Sequence, residues 1–410
     1  MSWNTIRFGD LYAEDSRNGL TKPSKVRGSG YKMINMGELF ANDRIYDIPM
    51  ELVPLKDSEK KNAKVEKGDL LFARQSLVLE GAGKCSIVLD VSSLTVFESH
   101  LIRVRLDKER ANPLFYYYYF KSPLSPVSTI VSQCAQAGIR GSDLQELEIA
   151  FPPLPIQNKI ANALTKYDEL IENNQRQIGL LEEAAKRLYK EWFIDLRFPG
   201  HEKARIIDGI PEGWKKSPIG KMVKVVRGRS YSSKELSDID SVLMVNLSNI
   251  RAYGGYNRNQ EKHYNGKYND EQVVETHDLL MGVTDMTQER RTVGRVALVP
   301  NLHAKAMISM DLIKLIPNES STLFLYALLN YGGYSEVVSR FANGTNVLHL
   351  RPDVLDIVDV VVPDAKIQGI FVDFFGKIQN RIDMLQDEII VAGEARDRLL
   401  PKLMSGEIEL

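Results

Sequence analysis

Residues 152–193 read PPLPIQNKIANALTKYDELIENNQRQIGLLEEAAKRLYKEWF, and the spacing of their apolar side chains decides the fold. Ile156, Ile160, Leu164, Tyr167, Ile171, Asn174, Ile178, Leu181, Ala185, Leu188 and Trp192 advance by steps of four and three, the heptad pattern of a helix with one narrow seam. Pro152, Pro153 and Pro155 mark its start, and Pro199 with Gly200 lie just past its end, where proline and glycine are best tolerated. At ~1.5 Å per residue, about 40 residues make a rod of roughly 60 Å. So narrow a seam needs a partner helix.

The matching helix lies 211 residues further on. Ile367, Phe371, Phe375, Ile378, Ile382, Leu385, Ile389, Ala392, Arg396, Leu399 and Leu403 repeat the seam position by position. The same displacement carries Trp3 onto Trp214, Ile34-Asn35-Met36 onto Val245-Asn246-Leu247, and Gly83-Lys84 onto Gly294-Arg295. It also carries Leu101-Ile102-Arg103 onto Leu312-Ile313-Lys314, Arg140 onto Arg351, Leu144 onto Leu355 and Pro152 onto Pro363. Asp69-Leu70-Leu71 meets Asp278-Leu279-Leu280 at 209, which places small length changes in loops. One module is written twice.

Each copy opens with β-branched and aliphatic runs between Gly, Asp and Pro, predicting strands at 32–36, 70–73 and 85–89, and at 242–247, 279–282 and 296–299. Helices are predicted at 113–121 and 322–331. The expected fold class is α+β, with two pseudo-twofold-related globular domains separated by an antiparallel pair of long coiled-coil helices. The expected boundaries are 1–151 for the first domain, 152–195 for the central helix, 196–213 for a linker, 214–362 for the second domain and 363–410 for the C-terminal helix. Ile160, Leu164, Ile171, Ile178 and Leu181 should meet Phe371, Phe375, Ile382, Leu385 and Ile389 along the seam. Asn174 either fixes the register of the pair or faces water or a partner protein.

The 410 residues, 43% hydrophobic, suffice for a core in each copy. Lys plus Arg (53) nearly cancel Asp plus Glu (54), so any nucleic-acid contact must come from local patches. Cys85 and Cys134 are too few for a disulfide framework or a zinc site, which favours a reducing compartment. The stretch from Met1 to Asp10 lacks the apolar core of a signal peptide. A cytoplasmic protein is expected.

Three fragments look catalytic and fail on inspection. Glu80-Gly81-Ala82-Gly83-Lys84-Cys85 lacks the first glycine and the Ser or Thr of a phosphate loop. Asn112-Pro113-Leu114-Phe115 resembles an amino-methyltransferase tetrapeptide without its second proline and reads better as a helix start. Pro352-Asp353 with Asp364-Ala365-Lys366 has the spacing of a magnesium-dependent nuclease, but the corresponding Gly141, Ser142, Pro153, Leu154 and Pro155 carry no carboxylate. His100, His263, His277, His303 and His349 lack metal-ligand spacing. No catalytic residue and no metal ligand is assigned.

The layout resembles the specificity subunit of type I restriction-modification enzymes across essentially the whole chain. Its most specific stretches are Pro152-Pro153-Leu154-Pro155-Ile156-Gln157, Leu188-Tyr189-Lys190-Glu191-Trp192-Phe193, and Arg398-Leu399-Leu400-Pro401-Lys402-Leu403-Met404-Ser405-Gly406-Glu407-Ile408. The second helix departs from it, opening on Pro363-Asp364-Ala365-Lys366-Ile367-Gln368, so its first turn should be capped differently. The resemblance implies a non-catalytic subunit that reads a split site in double-stranded DNA, one half per target-recognition domain, while the helices hold the spacing and dock two methyltransferase subunits. Restriction subunits would join that core. S-adenosylmethionine would belong to the methyltransferase and ATP with magnesium to the restriction subunits, so this chain would bind no cofactor of its own. The alternative readings are a coiled-coil scaffold without sequence-specific DNA binding and a metal-dependent nuclease.

Base readout needs polar and basic side chains on loops, with further Arg and Lys for phosphates. The candidates after the 70–73 and 279–282 strands are Arg74, Gln75 and Ser76, and Thr284, Asp285, Gln288, Arg290 and Arg291. Before each long helix stand Gln136 and Arg140, and Asn343, Asn346 and Arg351. Arg140 and Arg351 fit either phosphate contact or a salt bridge positioning the helix. Arg229, Tyr256 and Arg258 complete the set. Because the loops differ while the framework repeats, the DNA site is expected to be bipartite and asymmetric.

Overall fold

Asn112 starts the first domain helix as its sequence requires: its side-chain oxygen accepts the amides of Leu114 (2.9 Å) and Phe115 (3.3 Å), and Pro113 opens Pro113–Lys121. Such local signals recur throughout the computed structural model, which describes residues 3–133, 137–237, 241–258 and 260–409. The chain divides into two compact units, one of Met1–Asn173 with Glu388–Leu410 and one of Asn174–Asp387. Each is α+β and each takes a portion of both long helices, Leu154–Tyr189 and Ala365–Met404. Among the described residues no helix is long and apolar enough to cross a membrane.

In the first unit a five-stranded sheet runs Tyr12–Asn18, Leu101–Leu106, Leu70–Ala73, Cys85–Val88 and Arg44–Ile45, beside a three-stranded sheet of Glu51–Val53, Tyr31–Ile34 and Thr95–Phe97. In the second, Val223–Arg227, Leu312–Pro317, Leu279–Gly282 and Val296–Leu298 make the first sheet, and Val242–Val245 lies beside Ala306–Ile308 in the other. The duplication extends to single hydrogen bonds. Phe8 N donates to Leu147 O (2.8 Å) as Ile219 N does to Val358 O (3.0 Å), each residue displaced by 211. The Gln157 amide holds Pro152 O (2.8 Å) as that of Gln368 holds Pro363 O (2.7 Å).

Two predicted strands end early, because Asn35 and Asn246 begin helical turns. Asn35 N donates to the Glu38 carboxylate (2.8 Å) and Asn246 N to the Asn249 side chain (2.9 Å), so Met36 and Leu247 leave their strands. The tyrosine run at 116–119 is buried core. Asp364 caps the second long helix by accepting Ile367 N (3.1 Å), and Arg351 pairs with Asp353 (3.0 Å). Those roles account for the nuclease-like carboxylates, and among the described residues no group of three His, Cys, Asp or Glu is placed to hold a metal.

Within each unit the start of one long helix meets the end of the other, as in an antiparallel pair. Ile160, Ala161 and Leu164 share a core with Leu400, Leu403 and Met404 in the first unit. Ala185, Tyr189 and Trp192 share one with Ile367, Phe371 and Phe375 in the second. Of the expected seam, Ile160, Leu164, Ile178, Phe371, Phe375, Ile382 and Leu385 are buried, and Ile171, Leu181 and Ile389 are half-buried. The buried stripe departs from strict heptads. Asp168 and Tyr189 are buried where Tyr167 and Leu188 were expected to be, because a straight helix drifts about 20° per heptad against a 3.5-residue repeat.

Asn174 is buried. Arg396, at a seam position, meets Asp168 in an ion pair that also takes in Arg44 (3.7 Å) and the Tyr118 hydroxyl (2.6 Å). In the second unit the corresponding residues are Gln379 and Ala185, so this lock belongs to the first unit alone. Trp3 donates its indole N–H to Met404 O (3.1 Å), and the following turn closes on Gly406 at φ +73°.

Candidate nucleic-acid interface

Arg74 follows the last residue of the Leu70–Ala73 strand, and its amide donates to His100 O (2.8 Å) while its carbonyl accepts Ile139 N (2.9 Å). Gln75 then pairs with Gly138, and Gly138 with Ser132, in a three-stranded ribbon of two residues per strand. The second unit repeats this arrangement. Val283 N donates to Asp311 O (2.9 Å), Leu350 N to Val283 O (2.8 Å), Thr284 pairs with His349, and His349 bridges to Asn343. Two loops some 60 residues apart in sequence therefore meet at one place in each unit.

The side chains carried by these ribbons differ. In the first unit Arg74 is half-buried, its guanidinium reaching Ser99 O (3.5 Å), Gln75 and Ser76 are half-buried, and Arg140 is exposed at the start of the turn Gly141–Gln145. Gln136 lies outside the described residues. An open hollow of about 360 Å³ lined by Met36, Phe40, Gln75, Ser76, Leu77 and His100 adjoins the ribbon. The corresponding residues of the second unit are Leu247, Arg251, Thr284, Asp285, Met286 and Asp311, a more polar set.

In the second unit Asp285 is 2% exposed and organises the loop rather than projecting from it. Its carboxylate accepts the amides of Thr287 (2.7 Å), Thr292 (2.6 Å) and Val293 (3.3 Å) and both threonine hydroxyls. Burial alone would raise its pKa, but the Thr292 and Thr287 hydrogen bonds outweigh this and hold it below the ordinary carboxylate value. A depressed folded-state pKa means the order it imposes is complete above the unfolded value and is lost only as pH falls through the lowered one. Thr284 is buried on Asp311 (2.9 Å).

Gln288, Arg291, Asn343, Asn346 and Arg351 are exposed, with the Gln288 amide donating to Thr345 O (2.9 Å) and Arg291 paired to Glu289. Arg290 is half-buried with φ +53°, a left-handed conformation that costs a side-chain-bearing residue about 1–2 kcal/mol. Arg229 is exposed and joined through its backbone to Ile308 (2.9 Å) and Met310 (2.8 Å), next to the supporting Asp311.

Tyr256 and Arg258 face their own unit. The Tyr256 hydroxyl donates to Glu261 (2.7 Å), and burial followed by the Glu261 charge raises its pKa. Arg258 reaches the second long helix at Asp387 (2.7 Å) and Gln386 (3.1 Å). His277 also reaches that helix, at Asp383 (2.6 Å), and Arg251 reaches the first at Glu182 (2.8 Å). These side chains position the domain on its helices.

The supporting residues His100 and Asp311 escaped the sequence reading, as did the exposed tips Leu77 and Met286. The 211-residue displacement relates the first pair and the 209-residue displacement of the preceding strand relates the second.

The family described as Type I restriction modification DNA specificity domain matches residues 2–183 and again 211–392. The type I restriction enzyme MjaIX specificity subunit of Methanocaldococcus jannaschii is 27% identical over 309 residues, 72% of this chain and 69% of that one. The putative MjaX specificity subunit of the same organism is 23% identical over 419 residues, 100% of this chain and 94% of the other. The crystal structure of a type I restriction-modification system S subunit from M. genitalium shares the fold at a TM-score of 0.61 and 17% identity, covering 98% of this chain and 96% of that one.

Proposed function

We propose that this chain, which belongs to the type I restriction-modification DNA specificity family, reads a bipartite, asymmetric site in double-stranded DNA, one half with each unit. It is a specificity subunit, the recognition component of such systems and not a catalytic one. The observation carrying the two-half reading is the repeated ribbon, Gln75 to Gly138 to Ser132 and Thr284 to His349 to Asn343, on which one framework presents two different sets of side chains. Equal frameworks suit equal partners, and unequal loops suit unequal base sequences.

On this reading residues 1–151 and 214–362 are the target-recognition domains and 196–213 a linker. The helices of 152–195 and 363–410 set the spacing and each docks one methyltransferase subunit, with restriction subunits joining that core. S-adenosylmethionine and the flipped adenine then belong to the methyltransferase, and ATP with magnesium to the restriction subunits. The cytoplasm, where the DNA lies, is the place of action. Arg74, Gln75, Ser76, Gln136 and Arg140 serve one half-site. Arg229, Gln288, Arg290, Arg291, Asn343, Asn346 and Arg351 serve the other, with Thr284 and Asp285 shaping that loop and Tyr256 and Arg258 supporting it.

Electrophoretic shift of the chain with its cognate methyltransferase tests this. A duplex containing the site should resist competition by random duplex, whereas a scaffold would add no selectivity. Arg290→Gly removes a strained backbone position together with a guanidinium. Thermal stability should hold or rise slightly, while affinity for the site falls about tenfold. Unchanged affinity would take Arg290 out of the interface.

A further inference from the structure

The two recognition loops share one feature that their polar side chains do not. Leu77, 88% exposed, follows the ribbon strand Gln75–Ser76, and Met286, 71% exposed, follows Thr284–Asp285. The residues around them diverge: Gln75 against Thr284, Ser76 against Asp285, Val78 against Thr287, Leu79 against Gln288. The loops are also built differently. Ser76 Oγ accepts Val78 N (3.2 Å) before a short turn at Leu79–Gly81, whereas Asp285 gathers five donors from Thr287, Thr292 and Val293. Two constructions hold a large apolar side chain in water at the same place.

Resting on the reading above, we infer that Leu77 and Met286 are apolar probes that contact the base pairs of their half-sites directly. Leu and Met side chains contact bases either at the thymine methyl in the major groove or as wedges between base steps. Both are apolar contacts that gain from leaving water. Around Met286 the surroundings favour DNA over a protein surface, whereas Leu77 continues into the exposed Val78 and Leu79. Met286 stands alone among Thr287, Gln288, Glu289 and Arg291, and protein docking sites are contiguous apolar patches. Arg290 and Arg291, four and five residues after Met286, and Arg74, three before Leu77, supply cations for the phosphates that flank any base contact.

The test uses the full chain assembled with its methyltransferase, comparing Leu77→Ala and Met286→Ala with the parent. Each should lower affinity for the specific duplex about tenfold, leave random-duplex binding and its salt dependence unchanged, and relax base preference in one half-site only. Replacing thymine by uracil in that half-site should abolish the difference between parent and variant if the contact is to the methyl. Site-specific 2-aminopurine that brightens with the parent and not with the variant marks a wedge instead. Both outcomes support the probe.

Unchanged specific affinity in both variants, with the parent still selective, overturns the probe and leaves the recognition reading standing. So does lost assembly with the methyltransferase at unchanged selectivity, which would reassign the tips to a protein contact. A parent complex without sequence selectivity would overturn both. Exposed side chains contribute little to folding, so the variants should remain folded; melting curves matching the parent verify this.

Discussion

Replacing Asp168 by Ala is expected to loosen the first unit by about 3 kcal/mol, the lower end of the cost of breaking a buried ion pair by removing one partner, since both arginines keep a second carboxylate. The side chains of Asp168 and Arg44 are 7% and 5% exposed, and Arg396 approaches from the second long helix. Burial works against the Arg396 charge, yet the Asp168 hydrogen bond and charge outweigh it and raise its pKa. The Arg44 charge is likewise opposed by burial and sustained chiefly by Glu172 and neighbouring groups that include Asp168. Without Asp168 the two guanidiniums lose their shared counter-charge, Arg44 keeping Glu172 (3.3 Å) and Arg396 keeping Asp397 (2.8 Å), and the Tyr118 hydroxyl is left with its longer contact to Thr165 (3.4 Å).

Hydrogen exchange followed by peptide gives the measurement. Amides of 113–121 and 160–168 should exchange about 10² times faster while those of 322–330 stay protected, because opening is local to its cooperative unit. The double variant Asp168→Gln, Arg396→Ala copies the Gln379 and Ala185 of the second unit and should recover part of the loss. Unaltered exchange in the first unit would mean the ion pair contributes nothing net, as buried pairs sometimes do.

Lengthening both long helices by four residues, after Asn173 and after Asp387 where the compact units divide, should widen the gap between half-sites by near two base pairs. Four residues add about 6 Å of helix, and base pairs stack at about 3.4 Å. Both half-site sequences should be unchanged, and methylation of the original site should be lost almost completely. An insertion variant that still methylates the original spacing removes the helices as the ruler.

The elements that carry period and punctuation were legible in the sequence. The long helices, the Pro113–Lys121 helix and the Leu70–Ala73 and Leu279–Gly282 strands all fall where spacing and capping residues place them. Duplication helped, since each element had to satisfy two sequences. The early turns at Asn35 and Asn246 were hidden because aliphatic residues continue past them, and only the pairings with Glu38 and Asn249 end the strands. Strict heptad counting misplaced Tyr167 against Asp168, since helices of 3.6 residues per turn drift.

The candidate interface was legible as composition and not as geometry. Strands of two residues have no periodicity, so nothing local signals that Gln75 pairs with Gly138 or Thr284 with His349. Arg258 and Arg291 are alike in sequence, but one turns onto Asp387, 129 residues away, and the other stays exposed. Asp285 carries the chemistry of a base reader and is consumed by its own loop. Leu77 and Met286 escaped because apolar residues are by default assigned to cores.

Whether two differently furnished copies of one domain read two different half-sites is decided by mapping methylated bases in DNA modified by this chain with its methyltransferase. A two-part motif with unlike halves separated by a fixed unspecified gap is expected; a palindromic or undivided motif would rule out two different half-sites.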